Sequence, residues 1–229
     1  MSDEPQYNQS YIRAKEQQAA RSHSDARPEA ATHLHRDGKT EGKDRLPPGQ
    51  TKTSGFPILD LGIRPSLARY PQWILEISGS VRSPAQLTLL QLKQLEGEKI
   101  TADFHCVTRW SRYDLHWKGI PFQKIIDYAK PSDSAQFVIF HSFDKYTANV
   151  PLGELLKPNV IVAYELEGSQ IPPEHGGPIR MIIPQLYGWK SAKFLTGIEF
   201  SEKDKPGFWE VRGYSNRAQP WIEERYSDD

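Results

Sequence analysis

Large apolar residues are scarce in the first fifty positions of the chain and frequent after them. Those before residue 50 are Met1, Tyr7, Tyr11, Ile12, Leu34 and Leu46. Residues 1–45 also carry eight basic and eight acidic residues, and such a segment buries too little apolar surface to offset the entropy of ordering its backbone. We therefore expect a disordered polar tail over residues 1–44, with at most a transient helix over 11–21, and one ordered domain over residues 45–229.

Past residue 70 the hydrophobic pattern predicts short strands and a few short helices. Strands are predicted where β-branched and aromatic residues cluster between turn residues, over 73–81, 100–107, 136–141, 161–166, 179–183 and 197–200. Helical spacing of apolar residues predicts helices over 84–95, entered through a Ser or Thr cap, and over 119–129. Because strands outnumber helices and do not alternate with them, we expect a mixed, mostly β, α+β fold rather than a doubly wound nucleotide-binding sheet.

Composition and charge narrow the classes of function. The chain has 229 residues, and its 29 basic and 29 acidic residues give a formal charge of zero, which argues against a dedicated nucleic-acid-binding protein. No apolar run approaches the roughly 18 residues that a membrane span needs, and the first residues lack a signal-peptide pattern. We therefore expect a cytoplasmic protein with neither nucleic acid nor membrane as a partner.

Cys106 is the only cysteine, so an intrachain disulfide and a cysteine-rich metal site are excluded for this chain alone. It stands where an apolar strand meets a loop rich in hydroxyls and cations, and nearby cations favour the thiolate that binds metals or attacks substrates. A buried, unreactive thiol is one alternative. A Cys-His hydrolase using His141 or His175 is another, whereas His105 points to the opposite face of the same strand.

Two further clusters could bind an anion. In the first, paired glycines at 176–177 allow a close backbone approach, and His175 and Arg180 flank them as potential donors. In the second, residues 187–194 place two lysines and a serine beside a glycine, which suits a phosphate although the Walker frame is absent. The alternatives are a tight turn with surface side chains for the first cluster and a solvated basic edge for the second.

Six separated segments together carry a resemblance to a known family. They are residues 45–50 (RLPPGQ), 104–111 (FHCVTRWS), 163–168 (AYELEG), 175–180 (HGGPIR), 187–193 (YGWKSAK) and 207–214 (GFWEVRGY). In this order they resemble the molybdopterin-binding domain of the sulfite oxidase family, and most of all its small, stand-alone bacterial molybdenum oxidoreductases. The resemblance covers about four fifths of the chain and implies that family's mixed, mostly β fold.

The resemblance also implies roles for individual residues. Cys106 stands where the family's cysteine ligates molybdenum, Tyr214 matches an active-site tyrosine, and Arg109, together with Arg112, would supply positive charge for an oxyanion substrate. Residues 191–193 match the segment that grips the cofactor's phosphate. The complete set implied to bind the cofactor is Ser111, His141, Asp144, His175, Arg180, Ser191, Ala192 and Lys193.

The activity implied is oxygen-atom or two-electron transfer on a small oxyanion or sulfur compound, with molybdenum-molybdopterin as the cofactor. An unidentified protein would donate or accept the electrons. An S-oxide or N-oxide reductase is the alternative within enzymes, and a cofactor-less interaction domain is the alternative outside them. The presence of Cys106, His175, Arg180 and Lys193 together favours the molybdenum enzyme, because an interaction domain has no need of all four.

Overall fold

The computed structural model describes residues 6–22 and 45–227. Its strands are β1 (Thr51–Lys52), β2 (Ile74–Gly79), β3 (Ala85–Thr88), β4 (Glu98–Cys106), β5 (Trp110–Pro121), β6 (Phe137–Ser142), β7 (Thr147–Pro151), β8 (Ile161–Leu166), β9 (Ser169–Gln170), β10 (Arg180–Ile182) and β11 (Leu195–Ser201). Its α-helices are α1 (Gln9–Ser22), α2 (Leu89–Lys93), α3 (Phe122–Ala129) and α4 (Leu152–Leu155). The predicted mixed, mostly β fold is confirmed, and none of the helices in the described ranges has the length and hydropathy of a membrane span.

The strands form two sheets. One has the order β3-β2-β11-β6-β7, in which only the β2–β11 pair is parallel. The other has the order β1-β5-β8-β10, with β4 also paired to β5 and β9 to β8. In the β4–β5 hairpin Cys106 lies opposite Trp110, so the hairpin turn is the short loop that follows the cysteine.

A shared apolar core fixes the first sheet to the helices. Val138, Phe140 and Phe200 are almost fully buried on β6 and β11, and Phe122 and Ile125 of α3 belong to the same core. Burying a large apolar side chain contributes roughly 1.5–3 kcal/mol, so this contact holds α3 against the sheet. The loops that leave the sheet ends are thereby held in place.

The predicted elements agree with the structure in type, with shifted bounds, except that the helix predicted over 84–95 includes the strand β3. The helix predicted over 84–95 begins only at Leu89, because Thr88 caps it in a capping box while Ala85–Thr88 pair with β2. The helix predicted over 119–129 begins at Phe122, since the residues before it complete β5. Five strands were not predicted: the longer β5 and β7, and the short β1, β3 and β9.

The expected disordered tail is wrong for residues 6–22, which contain α1. Asn8 starts the helix, since its Oδ1 accepts a hydrogen bond from the Tyr11 amide at 3.1 Å. Ile12 and Ala19 on one face are 5% and 1% exposed, so a single apolar stripe provides the burial that the average composition lacked. The rest of the predicted tail, residues 1–5 and 23–44, lies outside the described residues.

Candidate cofactor and active site

A cleft lies where loops from both sheets meet α1. Its empty space is about 870 Å³ when the open mouth is included. Segments far apart in the sequence line it, from α1, the 56–61 region, the β4–β5 hairpin, the turn after β6, and residues 175–193 and 209–214. Four of the six sequence segments that carry the resemblance therefore converge on one cleft.

Cys106 lies at the end of β4, buried, and faces this cleft. Its Sγ lies 3.1 Å from the Thr108 hydroxyl oxygen, and burial raises the pKa of the thiol while that hydroxyl opposes the rise. The loop is braced from two sides, because Gln50 Nε2 donates to the Cys106 carbonyl at 3.0 Å and Arg225 Nη1 donates to the Val107 carbonyl at 2.8 Å. The sulfur thus has a fixed position, and a soft metal that displaced its proton would find a thiolate ligand there.

Arg180, at the start of β10, is 1% exposed. Its guanidinium donates to three main-chain carbonyls of the described residues, those of His175 at 2.8 Å, Ser191 at 3.0 Å and Met181 at 3.3 Å. Burial lowers the pKa of Arg180 to about 9. Within the described part of the chain no carboxylate forms an ion pair with it, and a buried cation without a counter-ion is costly. This arrangement fits an anionic ligand.

Lys193 supplies a second buried cation to the same cleft. Its Nζ donates to the Glu174 carbonyl at 2.7 Å, and the nearest carboxylate oxygen, of Asp60, is 3.9 Å away. Burial, with Arg180 nearby, lowers the pKa of Lys193 to about 7. Gly176, at φ 98°, makes room for the lysine, because a Cβ there would lie 2.7 Å from Lys193 Cγ. Two buried cations that have, among the described residues, a single carboxylate oxygen within 4 Å suit a phosphate.

The other predicted cofactor residues in the cleft are His175, Asp144, Ser191 and Ala192. His175 stacks on Phe56 with ring centroids 4.6 Å apart, and burial, with the nearby cations, lowers the pKa of its imidazole. Asp144 accepts a hydrogen bond from the Tyr146 amide at 3.2 Å, and burial raises the pKa of its carboxyl to about 6. Ser191 is engaged by the main chain, where its Oγ accepts from the Ile183 amide at 3.0 Å. Ala192 also lines the cleft.

Aromatic side chains form much of the remaining cleft wall. They are Tyr11, Phe56, Phe104, Trp110, Tyr146, Trp189, Trp209 and Tyr214. Tyr214 packs on Trp209 at 5.2 Å and on Trp189 at 5.5 Å between ring centroids, and burial raises the pKa of its phenol. The Tyr214 hydroxyl therefore keeps its proton and can donate a hydrogen bond.

A buried ion pair holds Trp189 in that wall. Lys190 Nζ lies 2.6 Å from Glu210 Oε1, with both side chains almost fully buried. The same Glu210 oxygen accepts from Trp189 Nε1 at 2.9 Å, and the Tyr146 hydroxyl donates to the Trp189 carbonyl at 2.6 Å. Trp189 is thus held both at its ring nitrogen and at its main-chain carbonyl.

The structure leaves three predicted site residues outside the cleft lining. Arg109 occupies the hairpin turn at φ 70°, and its side chain is 60% exposed, 3.9 Å from Glu223. Ser111 pairs with His105 on the opposite face of the hairpin from Cys106, and its Oγ lies 2.8 Å from His105 Nδ1. His141 points from β6 across the sheet surface to Glu199, with Nε2 and Oε2 2.9 Å apart.

Arg112, on the same strand as Ser111, is likewise not among the lining residues. The predicted residues that do meet in the cleft are Cys106, Asp144, His175, Arg180, Ser191, Ala192, Lys193 and Tyr214. Tyr11 and Lys15 of α1, which the sequence reasoning missed, join them there. The only sequence signal for this pair was their spacing of four positions, one helical turn, inside a segment whose composition pointed to disorder.

Comparisons with known proteins agree with the chemistry of the cleft. A family model described as the oxidoreductase molybdopterin binding domain matches residues 62–209. The uncharacterized oxidoreductase YuiH of Bacillus subtilis (strain 168) is 39% identical over 195 residues, which cover 84% of this chain and 98% of that protein. The crystal structure of the sulfane dehydrogenase SoxCD from Paracoccus pantotrophus shares the fold, with a TM-score of 0.56 at 17% identity over 66% of this chain and 45% of that one.

Two more distant relatives are named protein-methionine-sulfoxide reductase catalytic subunit MsrP. The Ralstonia nicotianae protein is 30% identical over 172 residues, and the Campylobacter jejuni protein is 28% identical over 155 residues. These matches cover 66% and 60% of this chain, and the chain spans about half the length of each relative, 52%.

The residues of the cleft fit the cofactor of that family. A buried thiol can ligate a soft metal, and two buried cations, one with no ion-pair partner in the described ranges and one with a distant carboxylate, can hold an anionic end group. The family match confirms the predicted oxidoreductase and its molybdenum-molybdopterin cofactor. The chain belongs to the family of oxidoreductase molybdopterin-binding domains, of sulfite oxidase type.

Proposed function

We propose that this chain reduces organic S-oxides. The observation that carries the proposal is the aromatic lining of the cleft around Cys106, from which the exposed Arg109 is absent. An organic sulfoxide has apolar substituents that pack on aromatic rings, and a small oxyanion such as sulfite has none. Two relatives are named as methionine-sulfoxide reductase subunits, which supports the same class of substrate.

The proposed reaction breaks the S–O bond. The sulfur gains two electrons from an external electron-donor protein, and the oxygen leaves as water after taking up two protons. When bound, molybdenum-molybdopterin supplies the two-electron oxygen-atom transfer. Cys106 would hold the metal through Sγ, and Arg180 and Lys193 would hold the anionic end of the pterin. Tyr214 retains its proton and would donate a hydrogen bond from Oη–H to the S-oxide oxygen.

Steady-state assays of the purified holoenzyme test this proposal. Reduced viologen dye serves as the donor with dimethyl sulfoxide or methionine sulfoxide, and ferricyanide serves as the acceptor with sulfite. We expect sulfoxide-dependent oxidation of the dye and little oxidation of sulfite. Sulfite oxidation without any sulfoxide-dependent turnover would refute the proposal. Tyr214→Phe keeps the ring packing but removes the donor, and it should lower kcat for sulfoxide by about a hundredfold.

A further inference from the structure

The first helix adds a wall to the cleft from outside the family domain. The family match covers residues 62–209, whereas α1 ends at Ser22. Tyr11 and Lys15 nevertheless line the cleft together with Cys106. The proposed cofactor-holding residues Cys106, Arg180 and Lys193 all lie inside the matched range, so α1 can vary without changing how the cofactor is held.

The contacts that seat α1 are specific. The Asn8 amide donates to the Leu61 carbonyl at 2.8 Å, and Glu16 Oε1 lies 3.2 Å from Arg212 Nε. The Tyr11 ring meets Trp209 edge-on with centroids 6.1 Å apart. Ile12 is buried in the core behind them. Because a hydrogen bond, an ion pair and apolar packing all hold α1 against the domain, its side chains have defined positions over the cleft.

Lys15 is the charged group that α1 places there. Its ammonium donates to Gln18 Oε1 at 3.1 Å and lies 5.8 Å from the centre of the Tyr11 ring. Both partners are neutral, and over residues 6–22 and 45–227 no carboxylate forms an ion pair with it. Burial lowers the pKa of Lys15, and the nearby Cys106 sulfur opposes that shift. A partly buried ammonium with neutral partners leaves room for an anion inside the cleft.

We infer that Lys15 recognises a carboxylate on the substrate, so that the preferred S-oxide is a small organic sulfoxide bearing a negative charge. This inference rests on the proposed function. The sulfoxide group would face Cys106 and Tyr214, the apolar part of the substrate would pack on the aromatic walls, and the carboxylate would bind the ammonium of Lys15. Lys15 then determines specificity and takes no part in breaking the S–O bond.

The test compares N-acetylmethionine sulfoxide, which carries a carboxylate, with its neutral amide. For each holoenzyme variant the selectivity is the ratio of kcat/KM for the acid to kcat/KM for the amide. Loss of a charge-assisted contact corresponds to about a tenfold change or more, so Lys15→Gln should lower this ratio about tenfold. Lys15→Arg should retain most of it. Arg13→Gln is the matched control, because it removes a cation from an exposed position of α1 that does not line the cleft.

A binding measurement separates this inference from the proposed function. Quenching of tryptophan fluorescence reports binding of the product analogues N-acetylmethionine and its amide, since Trp110, Trp189 and Trp209 line the cleft. An equal effect of Lys15→Gln on acid and amide, or none on either, overturns the inference even if sulfoxides are reduced. If no sulfoxide is reduced but Lys15→Gln weakens binding of the acid alone about tenfold, the proposed function fails and the recognition of a carboxylate by Lys15 stands.

Discussion

Raising the pH from 7 to 8.5 should weaken the binding of molybdopterin to the cofactor-free chain through Lys193. Burial and Arg180 lower the pKa of Lys193 to about 7, so the ammonium fraction falls from about one half at pH 7 to about 3% at pH 8.5. A phosphate prefers the ammonium form, so binding raises the lysine pKa and takes up a proton. Affinity should therefore fall with rising pH, by about 15-fold or ~1.6 kcal/mol over this interval.

The phosphate, the Asp144 carboxyl and the His175 imidazole change charge mainly outside the chosen interval. The phosphate has its second pKa at about 6 and is a dianion throughout. Asp144, with a pKa of about 6, and His175, with a lowered pKa, change charge mainly below the interval. Arg180, with a pKa of about 9, keeps most of its charge up to pH 8.5.

Apoprotein from a host that cannot make molybdopterin would be equilibrated with molybdopterin released from a donor enzyme. The bound fraction is then measured by the fluorescence of the oxidised pterin. Lys193→Arg should bind with a nearly flat pH profile, because arginine remains charged, and Lys193→Gln should bind weakly and also with a flat profile. A wild-type affinity that did not change between pH 7 and 8.5, or a Lys193→Gln profile as steep as the wild type, would refute the reasoning.

Three other substitutions test other parts of the site. Cys106→Ser should keep the fold and the pterin but lose turnover and the visible thiolate-to-metal absorption, as seen in spectra of the purified protein; unchanged absorption would contradict its role. Lys190→Met leaves Glu210 as a buried, unpaired charge and should lower the free energy of unfolding by about 3–5 kcal/mol in urea titrations, with Lys190→Met/Glu210→Gln recovering part of the loss. Gly188→Ala puts a Cβ 2.3 Å from the Phe104 ring, so it should displace that ring and reduce pterin loading, whereas equal loading would show that the ring moves freely.

Strands could be predicted from the sequence where burial on both faces gives a continuous run of apolar residues. β8 was predicted with its observed bounds, Ile161–Leu166, because both of its faces are largely buried and its residues are nearly all apolar. β5 was missed because the exposed Asp114 and His116 alternate with the buried Leu115 and Trp117, and its polar positions resemble a loop. An alternating strand of this kind becomes distinct only once its neighbours are known.

The site could be predicted at the level of segments and less well at the level of side chains. The segments around Cys106 and Lys193 do meet in one cleft. Arg109 and Ser111 do not reach it, because a turn and the alternation of a strand set the side-chain direction, and nearness in sequence to Cys106 does not. Lys15 was missed because its helix is stabilised mainly by packing on the domain, which composition averaged over 44 residues cannot reveal.

The hydrogen bond from Arg225 to the loop after Cys106 joins two parts of the chain that are synthesised at different times. The Val107 carbonyl accepts its hydrogen bond from Arg225, which lies 118 positions later in the sequence. On the ribosome, Cys106 is therefore synthesised well before the residue that clamps its loop, and until Arg225 emerges the loop keeps backbone freedom that the finished protein lacks. The fixed position of the cysteine loop is thus complete only after residue 225 has been made.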